Sequence, residues 1–451
     1  MGLSRKTKQM SRKDNPMSST DKSSFSNSRK IATWNLLHSK LSIVKFNFIH
    51  FIQRGDIMNK QLTLLAAAAL ACAGAAQAQN NVTVYGALDG GVLNMSTTAG
   101  ALYTPSATDT GKLTGIKDGG IGGSNVGLKG ERDMGNGSKA YFQLQGNIKI
   151  NDGAFGGANS AGTTTNFNQM ALIGLSGKAG DVKLGRQIAP MYFAMASTDA
   201  RGGRYFGSTL TTLVGMNSVS RAWNGTGNAV FGTVYNDNSL TYTAPKFGNT
   251  TVSVQHVFGN VNGSSSANSQ DAVTAVYSDG GLRLSALYYN GKGNGAVGTG
   301  ANATAYGFTN TANTNRLTSI GALYTTGPWT MSAALFDGKI PSGAQVPATP
   351  TMAAGSTHTT ATALALSYKL SPEFTLSGGH YILKDKTNSG NKANQTAISL
   401  DYNMFKDTVV YAQAASTSNT GSNMNLSPVF GTPVTAGKSN TATMVGVRYT
   451  F

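Results

Sequence analysis

The sequence predicts an all-β chain, a transmembrane antiparallel barrel of sixteen strands. Three observations carry that expectation. Short segments alternate apolar and polar residues with period two. The reversals between them are short and long in turn. The composition is intermediate, 40% hydrophobic but only 12% charged, against roughly 25% charged residues in ordinary soluble domains. Membrane helices would need more hydrophobicity, and a soluble surface more charge. A wall with one face to lipid and the other to water needs neither.

The alternation is clearest at residues 139–150. Ala140, Phe142, Leu144, Gly146, Ile148 and Ile150 fall on one face, while Lys139, Tyr141, Gln143, Gln145, Asn147 and Lys149 fall on the other. Successive strand side chains point to opposite sides of a sheet, so the two sets meet different surroundings. At the C-terminus Thr443, Val445, Val447, Tyr449 and Phe451 oppose Met444, Gly446, Arg448 and Thr450. In a third segment Leu282, Leu284, Ala286 and Tyr288 oppose Arg283 and Ser285.

Short reversals are expected at 133–137, 177–181, 245–249, 278–281, 325–328, 370–373 and 404–407, each holding the Gly, Pro, Asn or Asp that tight turns need. Seven such turns join eight hairpins, hence sixteen strands. Longer connections rich in Gly, Ser, Thr and Asn fall at about 94–121, 150–166, 188–234, 259–269, 291–315, 337–358, 385–393 and 417–440. Short turns on the periplasmic side and long loops on the extracellular side are the layout of outer-membrane barrels. A soluble β-sandwich has no reason to sort its loops by length.

The third connection is the longest, running from Ile188 to Val234. Structureless loops beyond about 12–15 residues are usually functional or disordered. A sixteen-stranded barrel is wide enough to stay open. A long loop folded into it would narrow the channel, so Arg201, Arg204, Arg221 and Asp199 are the constriction candidates.

Before the barrel the sequence reads differently. Lys60 followed by the apolar run from Leu62 to Ala75 and by Ala76-Gln77-Ala78 has the form of a secretory signal peptide over 58–78, with maturation at Gln79. The run is too short to span a bilayer as a helix. Cys72, the single cysteine, lies within it, so no disulfide framework is expected. Residues 1–57 are rich in Ser, Lys and Asn without sustained periodicity, and read as a disordered extension translated from upstream of the true start. The barrel is expected over 79–451.

The net charge of +17 divides between these parts. Residues 1–57 hold 11 Lys/Arg against 3 Asp/Glu, and the chain from Gln79 holds 24 against 16. Charges in the barrel are scattered rather than gathered into a basic patch, so nucleic acid is not an expected partner. No metal-ligand spacing, phosphate-binding loop or nucleophile motif occurs, and His256, His358 and His380 are far apart. No enzymatic activity, cofactor or metal is expected.

Several segments resemble the general porins of β-proteobacteria, the Burkholderia and Neisseria type. The first strand, Val82-Thr83-Val84-Tyr85-Gly86-Ala87-Leu88-Asp89, is similar to that family's opening V-T-L-Y-G-x-x-D. Residues 124–135 (SNVGLKGERDMG), 171–177 (ALIGLSG), 182–187 (VKLGRQ) and the terminal 445–451 (VGVRYTF) resemble its following strands and its G-x-R-x-x-F ending. The resemblance spans the chain from Gln79. It implies an outer-membrane homotrimer of sixteen-stranded barrels, each pore constricted by an inward-folded third loop. It also implies lipid and lipopolysaccharide as surroundings, and Tyr449 and Phe451 as the signal read by the β-barrel assembly machinery. The chain departs from the family at Asn125, and near Gln169 and Tyr235, where relatives often carry arginines that favour anions.

Conduction of ions and small hydrophilic solutes needs a polar lumen. Parity places Lys129, Lys139, Lys149, Lys183, Arg283 and Arg448 on the water side, with Glu131 near Lys129. Arg186 shares the parity of Val182 and Leu184 and would face lipid unless the strand bends at Gly185. A general diffusion porin with weak anion preference is therefore expected. A structural or adhesive barrel with ligand-binding loops, or a substrate-specific channel, is the alternative. Lumen aromatics along a path would favour the last, but Tyr192, Phe193, Tyr205, Phe206 and Trp223 are scattered.

Overall fold

A computed structural model describes residues 81–99, 109–156, 166–220, 234–260, 262–266, 269–292, 314–341 and 355–451. The segment 1–78, with its expected extension and signal peptide, lies outside the described residues, as does Arg221.

Among the described residues seventeen strands, all paired antiparallel, follow one another around a single closed sheet. They are β1 (Asn81–Ala99), β2 (Asp109–Asp118), β3 (Asn125–Gly135), β4 (Ser138–Asn147), β5 (Met170–Gly177), β6 (Gly180–Ile188), β7 (Tyr235–Thr243), β8 (Thr250–Val257), β9 (Gln270–Asp279), β10 (Leu282–Lys292), β11 (Thr314–Thr326), β12 (Trp329–Lys339), β13 (His358–Lys369), β14 (Phe374–Asp385), β15 (Lys392–Phe405), β16 (Thr408–Thr420) and β17 (Asn440–Thr450). Two helices, α1 (Pro190–Ser197) and α2 (Thr209–Val219), lie between β6 and β7.

The barrel has sixteen positions because β2 and β3 share one. Along its outer half β1 pairs with β2, Gly90 opposite Asp118, and along its inner half with β3, Ala87 opposite Asn125. The chain thus runs down a single strand that is broken at 119–124. On its other side β1 meets β17, from Ala87 opposite Thr450 to Met95 opposite Ala442. The backbone of Phe451 then exchanges two 3.0 Å hydrogen bonds with Gly86. The ring of pairings from β3 round to β17 and back to β1 is thereby closed, which satisfies those ladders in a medium that offers no hydrogen bonds.

All seven short reversals occur where the sequence places them. Between β3 and β4 the two linking residues, Asn136 and Gly137, have φ of 54° and 76°. Positive φ at both positions is the turn whose twist matches a hairpin, and Asn-Gly is its preferred pair. The first long connection is shorter than its sequence suggests. The reading from 94 to 121 gives way to strand up to Ala99 and again from Asp109, because Ser, Thr and Gly tolerate an extended ladder as readily as a loop.

Burial is inverted relative to a soluble protein. Large apolar side chains are exposed on the outer wall, among them Val84 at 52%, Ile173 at 62%, Ile320 at 62%, Leu335 at 52%, Ile398 at 51% and Val445 at 62%. Gln145, Gln187, Gln255, Gln395 and Gln413 are buried inside. A continuous apolar exterior of this kind is stable only against lipid. Aromatic pairs ring the short-turn rim: Trp329 with Tyr368 at 4.3 Å between ring centroids, Phe374 with Tyr402 at 4.7 Å, and Tyr449 with Phe451 at 6.1 Å. Such rings mark the level of the lipid headgroups.

Candidate functional site

The lumen is built from the inward parity of the strands and from the third connection, which enters it. Helix α1 begins at Pro190, whose fixed φ suits the first helical turn. It packs on β9 and β10, and α2 packs on β13 and β14. The apolar residues of this connection, including Met191, Met195, Leu210, Leu213 and Met216, form a core with the inner faces of the strands. The turn between the helices is tied by Asp199, which accepts hydrogen bonds from the backbone N–H groups of Arg201, Gly203 and Thr209 at 2.9–3.1 Å. Ser208 caps α2, accepting from Leu210 N–H while its own N–H donates to Thr211.

The loop travels around the inner wall and is pinned at successive strands. Thr198 meets Ser285 of β10 at 2.9 Å, and Ala200 N–H donates to Ser332 of β12 at 2.9 Å. Arg201 donates to the Ser377 hydroxyl of β14 at 3.1 Å, and to the carbonyls of Phe206 and Gly207. Arg204 reaches Asp401 of β15 and Gln413 of β16. Tyr205 N–H donates to the Ile121 carbonyl in the break between β2 and β3 at 3.2 Å. Asp199, Arg201 and Arg204 are accordingly buried, at 4%, 3% and 8% exposed. Burial and the nearby Arg204 guanidinium push the Arg201 pKa down to about 10, so it remains a cation at neutral pH.

The charged side chains that parity reads as water-facing have the following partners. Lys129 stands over the Tyr85 ring at 5.2 Å. Lys139 pairs with Glu131 at 2.8 Å and Lys183 with Asp181 at 3.3 Å. Arg283 donates to the Ser197 carbonyl at the end of α1, at 3.2 Å. Lys149 departs from the parity reading: β4 ends at Asn147, and Lys149 lies in the turn beyond it, paired with Asp152 at 3.1 Å. Once the ladder ends, period-two geometry no longer applies.

Arg186 is withdrawn from lipid by the bend expected at Gly185. Gly185 has φ of 114°, and the register between β6 and β7 shifts there. The extra residue lies on β7, where the chain takes three steps from Ser239 to Asn236 against two from Gly185 to Gln187, and Asn238 there has φ of 50°. Arg186 donates to the Asn168 carbonyl at 2.7 Å, pairs with Asp237, and lies 5.8 Å from the Tyr235 ring centroid. Its guanidinium therefore sits beside the tyrosine that stands near an arginine position of the resembled family.

One centre escaped assignment from sequence. Asp89, fully buried, accepts from the backbone N–H groups of Gly120, Ile121 and Gly122 at 2.8–3.0 Å, from the Tyr411 hydroxyl at 2.8 Å and from Arg448 at 3.2 Å. This carboxylate holds the broken strand in place and ties it to β16 and β17. Its only sequence signal is its place in the opening motif. The three histidines do not converge: His256 meets Asp271, His358 meets Asp337 and His380 meets Thr396. Among the described residues no three metal-ligating side chains gather.

Comparison with known proteins agrees with this architecture. The family described as Gram-negative porin matches residues 64–422. Outer membrane porin protein 32 of Delftia acidovorans is 27% identical over 397 residues, covering 86% of this chain and 99% of that protein. Major outer membrane protein P.IB of Neisseria gonorrhoeae is 34% identical over 155 residues, 34% of this chain and 39% of that one. Among solved structures, an anion-selective porin from Comamonas acidovorans superposes with a TM-score of 0.64 at 22% identity, over 83% of this chain and all of that one. OmpT of Vibrio cholerae, in its trimer form, gives 0.54 at 14% identity over 82% of this chain and 99% of that one. The chain belongs to the Gram-negative porin family and is an outer-membrane porin.

Proposed function

We propose that this porin lets ions and small hydrophilic solutes diffuse through its lumen with a weak preference for anions. The observation that supports the preference is an imbalance of partners on the wall. The inward carboxylates Asp89, Glu131, Asp181 and Asp401 each face a basic group. Among the described residues Lys117, Lys129, Arg201 and Arg283 have no ion-pair partner, against the buried carboxylates Asp118, Asp199 and Asp385, so the positive excess is small. The preference stays weak because Asn125 donates only to the Gly123 carbonyl and Gln169 accepts from Gln145, where relatives of this type often add arginine.

The third loop sets the constriction. Asp199, Arg201 and Arg204 act in it by fixing its path along the wall, and Arg221 remains its candidate for a charge facing the pore. The unit is a homotrimer embedded in lipid and lipopolysaccharide, a reading supported by the trimeric porin of the same fold. Tyr449 and Phe451 carry the signal for the assembly machinery, and residues 58–78 serve as the signal peptide.

The test is the reversal potential of the reconstituted protein across a KCl gradient. A displacement toward the chloride equilibrium potential is expected. A potential on the potassium side would refute the anion preference, and folded protein without current steps would refute the channel.

A further inference from the structure

The outer wall carries a row of cations along one arc of its long-loop rim. Arg316, Lys339, Lys384 and Lys392 stand at the long-loop ends of β11, β12, β14 and β15, and each is exposed. Parity turns them away from the lumen, because their neighbours in sequence are buried. Asn315 and Leu317 flank Arg316, and Leu383 and Asp385 flank Lys384. The register then lines them up. Arg316 lies directly opposite Lys339, and Lys339 opposite His358 at the start of β13. Lys384 faces Thr360, two residues from His358, and on its other side Lys392. At about 4.8 Å per strand, the row from β11 to β15 runs about 19 Å along the rim.

Like charges directly opposite one another destabilise a sheet unless something lies between them. Carboxylates are scarce here. Asp337 is shared by Lys339 at 3.0 Å and His358 at 2.9 Å. Among the described residues Arg316, Lys384 and Lys392 have no ion-pair partner. Asp385 beside Lys384 is turned inward and accepts from Ser356, Asn388 and Asn391. Toward the middle of the same outer face hydroxyls come next, on Thr318, Thr360 and Thr396, and then the apolar side chains of Ile320, Leu364 and Ile398. The opposite rim of these strands is different in kind, holding the pairs of Trp329 with Tyr368 and Phe374 with Tyr402. In outer-membrane barrels the long loops face outside, so the cations stand at the level of the outer-leaflet headgroups.

We propose that this row is a binding site for the phosphate groups of lipopolysaccharide, held by direct ion pairs with Arg316, Lys339, Lys384 and Lys392, with the threonines below meeting sugar hydroxyls. This rests on the lipid surroundings given under the proposed function and assigns them a place on the wall. A phosphorylated glycolipid matches both tiers at once, whereas a phospholipid headgroup offers a single phosphate to a row of four cations. The arginine adds a planar fork suited to two phosphate oxygens.

The protein, stripped of lipid in detergent, is titrated in EDTA with a rough-type lipopolysaccharide, with the same material dephosphorylated, and with phosphatidylglycerol. Binding is read by native mass spectrometry as the fraction of protein carrying lipid. Lipopolysaccharide should bind with EDTA present and weaken as salt is added. The other two lipids should bind about tenfold or more weakly, and so should lipopolysaccharide to a variant with Arg316→Gln, Lys384→Gln and Lys392→Gln together. The conductance of that variant should be unchanged, since these groups lie outside the pore. Equal binding of the dephosphorylated material or of the phospholipid would overturn the proposal. So would an unweakened variant, or loss of binding in EDTA, which would make divalent ions the link.

A second variant reports even if the first does not fold. Asp337→Asn removes the carboxylate within the row and should tighten lipopolysaccharide binding; unchanged or weaker binding would overturn the proposal. Absence of current steps from the unmodified protein would instead refute the porin reading, which the lipid titration does not measure.

Discussion

Arg204 and Asp401 meet inside the barrel as a two-pronged pair, Nη2 lying 2.7 Å from Oδ2 and Nη1 3.2 Å from Oδ1. The pair fastens the third loop to β15. Both side chains are nearly buried, so losing one strands the other. Arg204→Ala is expected to loosen the loop, seen as increased current noise and closure at lower applied voltage in bilayers. Arg204→Lys should restore only part of the quiet current, because an ammonium cannot reproduce the planar fork.

Asp89→Asn tests the break in the second barrel strand. The amide keeps one acceptor oxygen for the three backbone N–H groups and leaves Arg448 without its charge partner. A loss of about 1–3 kcal/mol is expected, read from urea unfolding of the protein in detergent or lipid. Removing a negative charge from the lumen should also move the reversal potential further toward chloride.

Lys129→Glu should move it the other way, toward potassium. Lys129 stands over a tyrosine ring rather than beside a carboxylate, so its field is not locally cancelled. The shift should be large in dilute KCl and fade at about 1 M, where the screening length falls to about 3 Å. A shift independent of salt would mean that the substitution had altered the shape of the pore instead.

Gly185→Ala tests the bulge. At φ 114° an added Cβ would stand 2.3 Å from the Ala171 carbonyl oxygen. A cost of about 1–3 kcal/mol is expected for forcing that conformation on alanine. If the strand straightens, Arg186 turns toward lipid, and the folded fraction recovered after refolding into vesicles should drop. Combining it with Arg186→Leu should recover part of that fraction.

Much of the fold was legible because its determinants are local. The Asn136–Gly137 turn announces itself in two residues, and the parity of Lys129, Lys183 and Arg283 follows from their own segments. The bend at Gly185 could be anticipated from the cost of a guanidinium in lipid. What stayed hidden depends on contacts distant in sequence. The break at 119–124 reads as a glycine-rich loop, and only Asp89, more than one strand away, shows that it belongs within the wall. The anchoring of Arg201 and Arg204 needs Ser377 and Gln413, which lie 176 and 209 positions from them. Parity failed at Lys149 because nothing local marks where β4 leaves the ladder.

The mutual hydrogen bonds of Gly86 and Phe451 bear on how the molecule comes into being. They belong to a pairing between the first and last of the described strands, a contact between residues remote in sequence. Contacts that span such separations are slow to form. Until β17 arrives, β1 keeps an open edge ready to pair with another chain. Sealing the sheet therefore needs β17 in place: without it β1 and β16 would each present an unpaired, adhesive edge.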